Sequence, residues 1–199
     1  MYTPVIWNLQ VPPRIHIFLW LLSNNKTLTR SNLARRRSLE DVSCLFCSEI
    51  ETVHHLFFDC CVARTLRSHV SDIFDIHIGS NYESVARWWV SNKRNSVLNM
   101  TSAALLWSLW KLRNSFCFQG EIWRDERVVL NRIIQALKHW RPLCKEGNKE
   151  KYDWVVSRIL EKSRQPLRLI DGESVPQRCS TSERLYVMIL ESANAYDLR

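Results

Sequence analysis

Four residues in the first third of the chain have the types and spacing of metal ligands: Cys44, Cys47, His55 and Cys60. A Cys-x2-Cys pair brings two thiolates onto one cation, and a second pair arriving after a short loop completes a tetrahedral shell. Thiolate-rich shells select zinc. Four protein donors leave no position for water or substrate, so the expected zinc is structural and contributes folding energy rather than hydrolysis. His54 and Cys61 are neighbours that could substitute for two of these ligands. Geometry favours the inner pair. Five residues of α-helix rise about 7.5 Å and rotate about 500°, so His55 and Cys60 meet one ion only if the backbone turns between them. Regular helix would then begin near Cys60. His54 and Cys61 would share a helix face, but about 10 Å apart along the axis.

Other chemistries fit less well. A thiol–imidazole nucleophile built from His54, His55, Cys60 and Cys61 would use the same side chains that metal ligation uses with better spacing. A redox role for Cys-x2-Cys lacks the βαβ surroundings it needs. The four glycines (Gly79, Gly120, Gly147 and Gly172) lie too far apart for a GxxxxGK[ST] or GxGxxG phosphate loop, which excludes nucleotide-binding enzymes of those two kinds. The seven cysteines are odd in number and four fall within residues 44–61, which suits metal ligands better than disulfides.

The elements that must carry these ligands read as helices. Pro12 and Pro13 open a helix to about Ser23, with Ile15, Phe18, Leu19 and Leu22 on one face and Ile17, Trp20 and Leu21 around it. A short helix follows Thr29 or Ser31 and ends in Arg35–Arg37. Leu66, Val70, Ile73 and Phe74 continue a helical stripe beyond the cysteines, and residues 75–82 read as loop or short extended chain. Three further helices are expected at about 101–117, 125–140 and 149–163, with Pro142 and Gly147 between the last two. The expected fold is mainly α. A small zinc-stabilised helical module (1–75) precedes a helical region (76–163), and a weakly structured tail (164–199) combines a linker with a candidate terminal helix.

Charge is segregated. Residues 1–39 carry Arg14, Lys26, Arg30, Arg35, Arg36 and Arg37 and no acid, whereas residues 40–60 carry five acids and neither Lys nor Arg. With a formal charge of +8, the chain suits an anionic polymer. The six cations are the candidate phosphate contacts to RNA or DNA, giving affinity without sequence specificity. Trp7 and Trp20 are expected in the core. A second reading is a protein-docking surface built on Trp88, Trp89, Trp107, Trp110 and Trp123. The most apolar run, Ile15 to Leu22, falls far short of the ~20 residues of a membrane span, and no secretory signal is evident, so an intracellular location in nucleus or cytoplasm is expected.

Several segments in order resemble one family. Trp7-Asn8-Leu9-Gln10-Val11-Pro12-Pro13-Arg14-Ile15, Phe18-Leu19-Trp20, Thr29 to Arg36, Cys44-x2-Cys47, Glu51-Thr52 and His55-Leu56-Phe57-Phe58-x-Cys60 are similar to the reverse-transcriptase zinc-binding domain (zf-RVT) of plant LINE-type, non-LTR retrotransposons. The resemblance spans about residues 5–72. Leu106 to Asn114, with Phe118, resembles the W-x-x-W-K-x-R-N helix that commonly follows that domain. It implies ligation by Cys44, Cys47, His55 and Cys60, and a detached piece of a retroelement protein without polymerase or RNase H motifs. Two departures stand out. Ser48 occupies a place where glycine is common, which predicts a strained turn, and Cys61 replaces a common proline.

Overall fold

The computed structural model describes residues 3–119, 121 and 125–165, so the expected linker and terminal helix beyond 165, and Trp123, lie outside the described residues. Eight α-helices are present among those described: α1 (Thr3–Trp7), α2 (Pro13–Ser23), α3 (Arg30–Ala34), α4 (Cys61–Phe74), α5 (Tyr82–Val90), α6 (Asn92–Phe118), α7 (Arg127–Trp140) and α8 (Lys149–Arg164). The only β pairing among them is an isolated antiparallel bridge between Ser43 and Ile50.

Local chemistry sets most boundaries. Pro13 sits in the first turn of α2, where no amide partner is needed, and Pro12 O accepts from Ile15 N at 2.8 Å. Asn25, with φ 54°, turns the chain away from α2, and Asp75, with φ 52°, does the same after α4. Asn81 and Ser84 form a reciprocal cap at the start of α5. Gly79 precedes it with φ +104°, where an added Cβ would fall 2.2 Å from Ser84 Oγ. Only glycine fits there.

Helix α6 forms the centre. It is buried almost all round from Val97 to Cys117 and packs against α2, α4, α5 and α7, while α8 closes over α4 and α7. The stripe expected from residue 101 therefore belongs to a helix that starts nine positions earlier, with a break at Asn95 (φ −116°, ψ 22°). Its first half is rich in Ser, Thr and Asn. Those groups are buried with partners: Ser96 Oγ donates to Gln10 Oε1 at 2.7 Å, and Ser102 Oγ accepts from Trp89 Nε1 at 3.1 Å. Helix α5 was not expected at all. Helices α7 and α8 fall close to their expected ranges, bury Val129, Ile133, Leu137 and Tyr152, and are joined where Tyr152 Oη donates to Leu137 O.

The core is continuous across residue 75. Phe18 of α2 meets Trp107 of α6 at 5.2 Å between ring centroids, and Phe57 meets Trp110 at 6.3 Å. Both tryptophans of the W-x-x-W helix thus pack against the N-terminal module. Of the tryptophans in the docking-surface reading, Trp89 is buried and Trp88, Trp107 and Trp110 pack half-buried against the core, while Trp123 lies outside the described residues. Trp7 departs in the opposite sense. Expected inside, it is 50% exposed, while Trp20 is half-buried as a core neighbour.

Candidate metal centre

The backbone between residues 42 and 51 doubles back as a narrow hairpin. Cys44 N donates to Glu49 O, and Glu51 N donates to Val42 O. Inside this loop Phe46 N donates to Cys44 Sγ at 3.4 Å, so an amide dipole supports the sulfur. Ser48 takes no left-handed conformation, since the positive-φ residues other than glycine are Asn25 and Asp75. The strain expected at Ser48 is absent, because the amides reach the sulfurs without it.

The second half of the site rests on a wide turn of π-helix, His55–Asp59, in which Cys60 N donates to His55 O. Cys60 itself leaves helical geometry (φ −55°, ψ 140°) before α4 begins at Cys61. This is the turn that the helix argument required. Thr52 Oγ1 accepts from His55 N at 2.9 Å and caps the turn at its start. At its end the buried Arg67 donates to Phe57 O and Phe58 O, at 3.0 and 2.6 Å, and satisfies carbonyls that a π turn leaves without helical partners. Burial holds the Arg67 guanidinium below its ordinary pKa. The sequence offered no signal for this role, because Arg67 reads as one polar residue on an amphipathic helix.

These two pieces bring one ligand atom each from Cys44, Cys47, His55 and Cys60 within 4.8 Å of one another. Cys44 Sγ and Cys60 Sγ are 3.8 Å apart, and Cys47 Sγ lies 3.0 Å from His55 Nε2. A tetrahedral ion with metal–sulfur bonds of about 2.3 Å separates its sulfurs by about 3.8 Å, so the donor set fits a metal of this kind. The neighbours lie outside the group of four, although Cys61 stays beside Cys60. His54 Nδ1 pairs with Asp59 Oδ2 at 3.1 Å on the exposed side, and Cys61 Sγ points to Phe46 O at 3.6 Å. Neither belongs to the donor group.

Crowding polarises the cluster. Hydrogen bonding to Cys60 lowers Cys44 to about 7 and Cys47 to about 5, against the opposing effect of burial. Cys60, facing Cys44 and Cys47, is pushed far up and keeps its proton. His55 rises to about 9, chiefly through its hydrogen bond to Cys44. The site therefore sets a Cys47 thiolate beside a protonated His55, and a divalent cation held by these four residues would displace protons from them.

Behind the hairpin lies a buried ion pair that the sequence did not reveal. Glu51 is fully buried and Arg113 nearly so. Arg113 Nη2 and Nε donate to Glu51 Oε1 at 2.9 and 3.1 Å, and the same oxygen accepts from Arg30 N at the start of α3. One carboxylate thus joins the hairpin, α3 and α6. Both residues lie in segments quoted for the family resemblance, Glu51-Thr52 and Lys111-Leu112-Arg113-Asn114, but nothing in either segment says that they meet.

The expected phosphate contacts divide. Arg14, Lys26, Arg35 and Arg36 are exposed, and Arg37 is half-buried. Arg30 is corrected: at 2% exposure it pairs with Asp41 at 3.1 Å and donates to Ser43 O, so it braces the hairpin instead of facing a ligand.

A Cys3His cluster carried by a hairpin and a π turn on a helical scaffold is a donor set that could hold a metal ion. Residues 2–66 match the model of the zf-RVT family, zinc-binding in reverse transcriptase. Neither the curated proteins nor the solved structures contain a match to the chain.

Proposed function

We propose that the chain is a non-catalytic, zinc-stabilised module that associates with nucleic acid, derived from the reverse-transcriptase polyprotein of a plant LINE-type, non-LTR retrotransposon. The observation that carries this reading is the convergence of Cys44, Cys47, His55 and Cys60 inside the segment that matches a reverse-transcriptase zinc-binding family. Zinc is the metal that three thiolates and one imidazole favour, and four protein donors keep it closed to substrate. Association with RNA or DNA is supported by the exposed Arg14, Lys26, Arg35 and Arg36 in a stretch without acids. A reducing compartment, nucleus or cytoplasm, suits such thiolates. No helix among the described residues is long and apolar enough to cross a membrane.

Metal analysis together with titration of the zinc-loaded protein into RNA and DNA tests both halves. Stoichiometric zinc and binding that weakens steeply with salt are expected. Purified protein without metal, or with no affinity for either polymer at low salt, would overturn the respective half.

A further inference from the structure

Helix α2 is apolar on both sides. Ile15, Phe18, Leu19 and Leu22 face the core, yet the opposite face carries Ile17, which is 51% exposed, with Trp20 and Leu21 half-buried beside it. Along this outer side three ring systems follow one another. Trp7, half exposed, lies 5.5 Å from the His16 ring. His16 and Trp20 stand one helical turn apart, where side chains are neighbours at about 5–6 Å. Lys26 Nζ then lies 5.5 Å from the centroid of the Trp20 ring. The imidazole is held in place by Leu9 O, 3.0 Å from its Nε2. Arg14, exposed, lies one turn before Ile17, on the side of that residue away from the rings, and residues 1–39 contribute no acid to this face.

A row of rings bordered by cations, without carboxylates from its own segment, matches what an unpaired strand needs. Bases stack on aromatic faces, while ammonium and guanidinium groups follow the phosphates. A duplex hides its base faces and would meet only the cations. We infer that the outer face of α1 and α2, through Trp7, His16, Trp20, Lys26 and Arg14, is a binding surface for single-stranded nucleic acid. This rests on the nucleic-acid reading proposed above and specifies its form.

The test uses the full zinc-loaded chain with fluorescein-labelled oligo(dT) and oligo(U), and a duplex of equal length, followed by anisotropy. Single strands should bind at least about tenfold more tightly than the duplex. Trp7→Ala should weaken single-strand binding by about five- to a hundredfold and leave duplex binding unchanged, with Trp7→Phe restoring most of it. Lys26→Gln should make the salt dependence shallower by about 0.7 in the log–log slope. Zinc content and melting temperature, measured on each variant, show that the exposed substitutions leave the fold intact. Equal affinity for strand and duplex, or a Trp7→Ala protein that binds strands as well as the wild type, would sink this surface while leaving general nucleic-acid association standing. Binding to neither oligonucleotide at low salt would overturn both and would point to a protein as the occupant of this face.

Discussion

Cys44 and Cys60 stand sixteen positions apart in the chain, yet their sulfurs are 3.8 Å apart. Replacing either by serine takes away a thiolate that zinc binds strongly and leaves three donors. Cys44→Ser should therefore lose stoichiometric zinc and much of the helical signal, whereas His54→Ala and Cys61→Ser should keep both. Metal analysis and the absorption of the cobalt-substituted protein distinguish these outcomes, because the intensity of cobalt bands reports tetrahedral thiolate ligation. Protons compete for the same atoms. His55, raised to about 9, and Cys60, raised further, both carry protons at neutral pH in the metal-free protein. Metal uptake at pH 7 must displace them, so affinity should rise with pH towards 9 and fall as the solution is acidified. Calorimetry in buffers of different ionisation enthalpy should show proton release on metal binding. An enthalpy that is independent of buffer would contradict the protonation assigned to these two ligands.

Among the structural elements, the hairpin and helix α6 depend on each other through Glu51 and Arg113. Removing one partner of a buried ion pair leaves an uncompensated charge, at a cost of about 3–5 kcal/mol. Arg113→Met should thus destabilise the protein by that order in urea unfolding. The double variant with Glu51→Gln should be less destabilised than the two single changes summed, because the second substitution removes the charge that the first had stranded. Additivity would mean that the pair is not coupled. The loop before α5 makes a sharper demand on one residue. At Gly79, with φ +104°, an alanine would meet both a disfavoured backbone and Ser84 Oγ 2.2 Å away. Gly79→Ala should cost more than about 1 kcal/mol, and pairing it with Ser84→Ala should recover only a fraction of that, because Ser84 Cβ, 2.6 Å away, and the disfavoured backbone both remain.

For the assembled protein, the continuous core implies that the zinc-binding segment does not end where its family match ends. Phe18, Phe57 and Glu51 find their partners on α6, beyond residue 66. A fragment of residues 1–75 would expose those ring faces and strand the Glu51 charge. With zinc present, it should melt at a lower temperature than the full chain, or lack dispersed side-chain signals in NMR. A fragment as stable as the parent would contradict the shared core. Charge acts over the same range. Four exposed cations (Arg14, Lys26, Arg35 and Arg36) limit the salt slope for a single strand to about −3, at about 0.7 per contact. Arg35→Gln with Arg36→Gln should flatten that slope without changing the melting temperature. Arg30→Gln should instead lower the melting temperature, because that side chain holds Asp41 and Ser43 within the fold.

The ligand quartet was legible in the sequence because metal geometry is local: a Cys-x2-Cys turn and a histidine five residues before a cysteine can satisfy one ion in few ways. The same argument required a break in the helix before Cys60, and the π turn at His55–Asp59 supplies it. Helices α2, α4, α7 and α8 were legible from apolar spacing, since each buries one face or a greasy surface. Long-range pairing was not. That Glu51 meets Arg113, that Arg67 braces the turn carrying His55, and that Arg30 turns inward depend on which helices lie side by side. An isolated charged residue gives no sign in sequence of whether water or a buried partner will satisfy it. The first half of α6 was hidden for a related reason: its hydroxyls and amides resemble a loop until neighbouring helices provide their hydrogen bonds. The exposure of Trp7 was decided in the same way, by the packing of α1 beside α2, which leaves the residue half exposed.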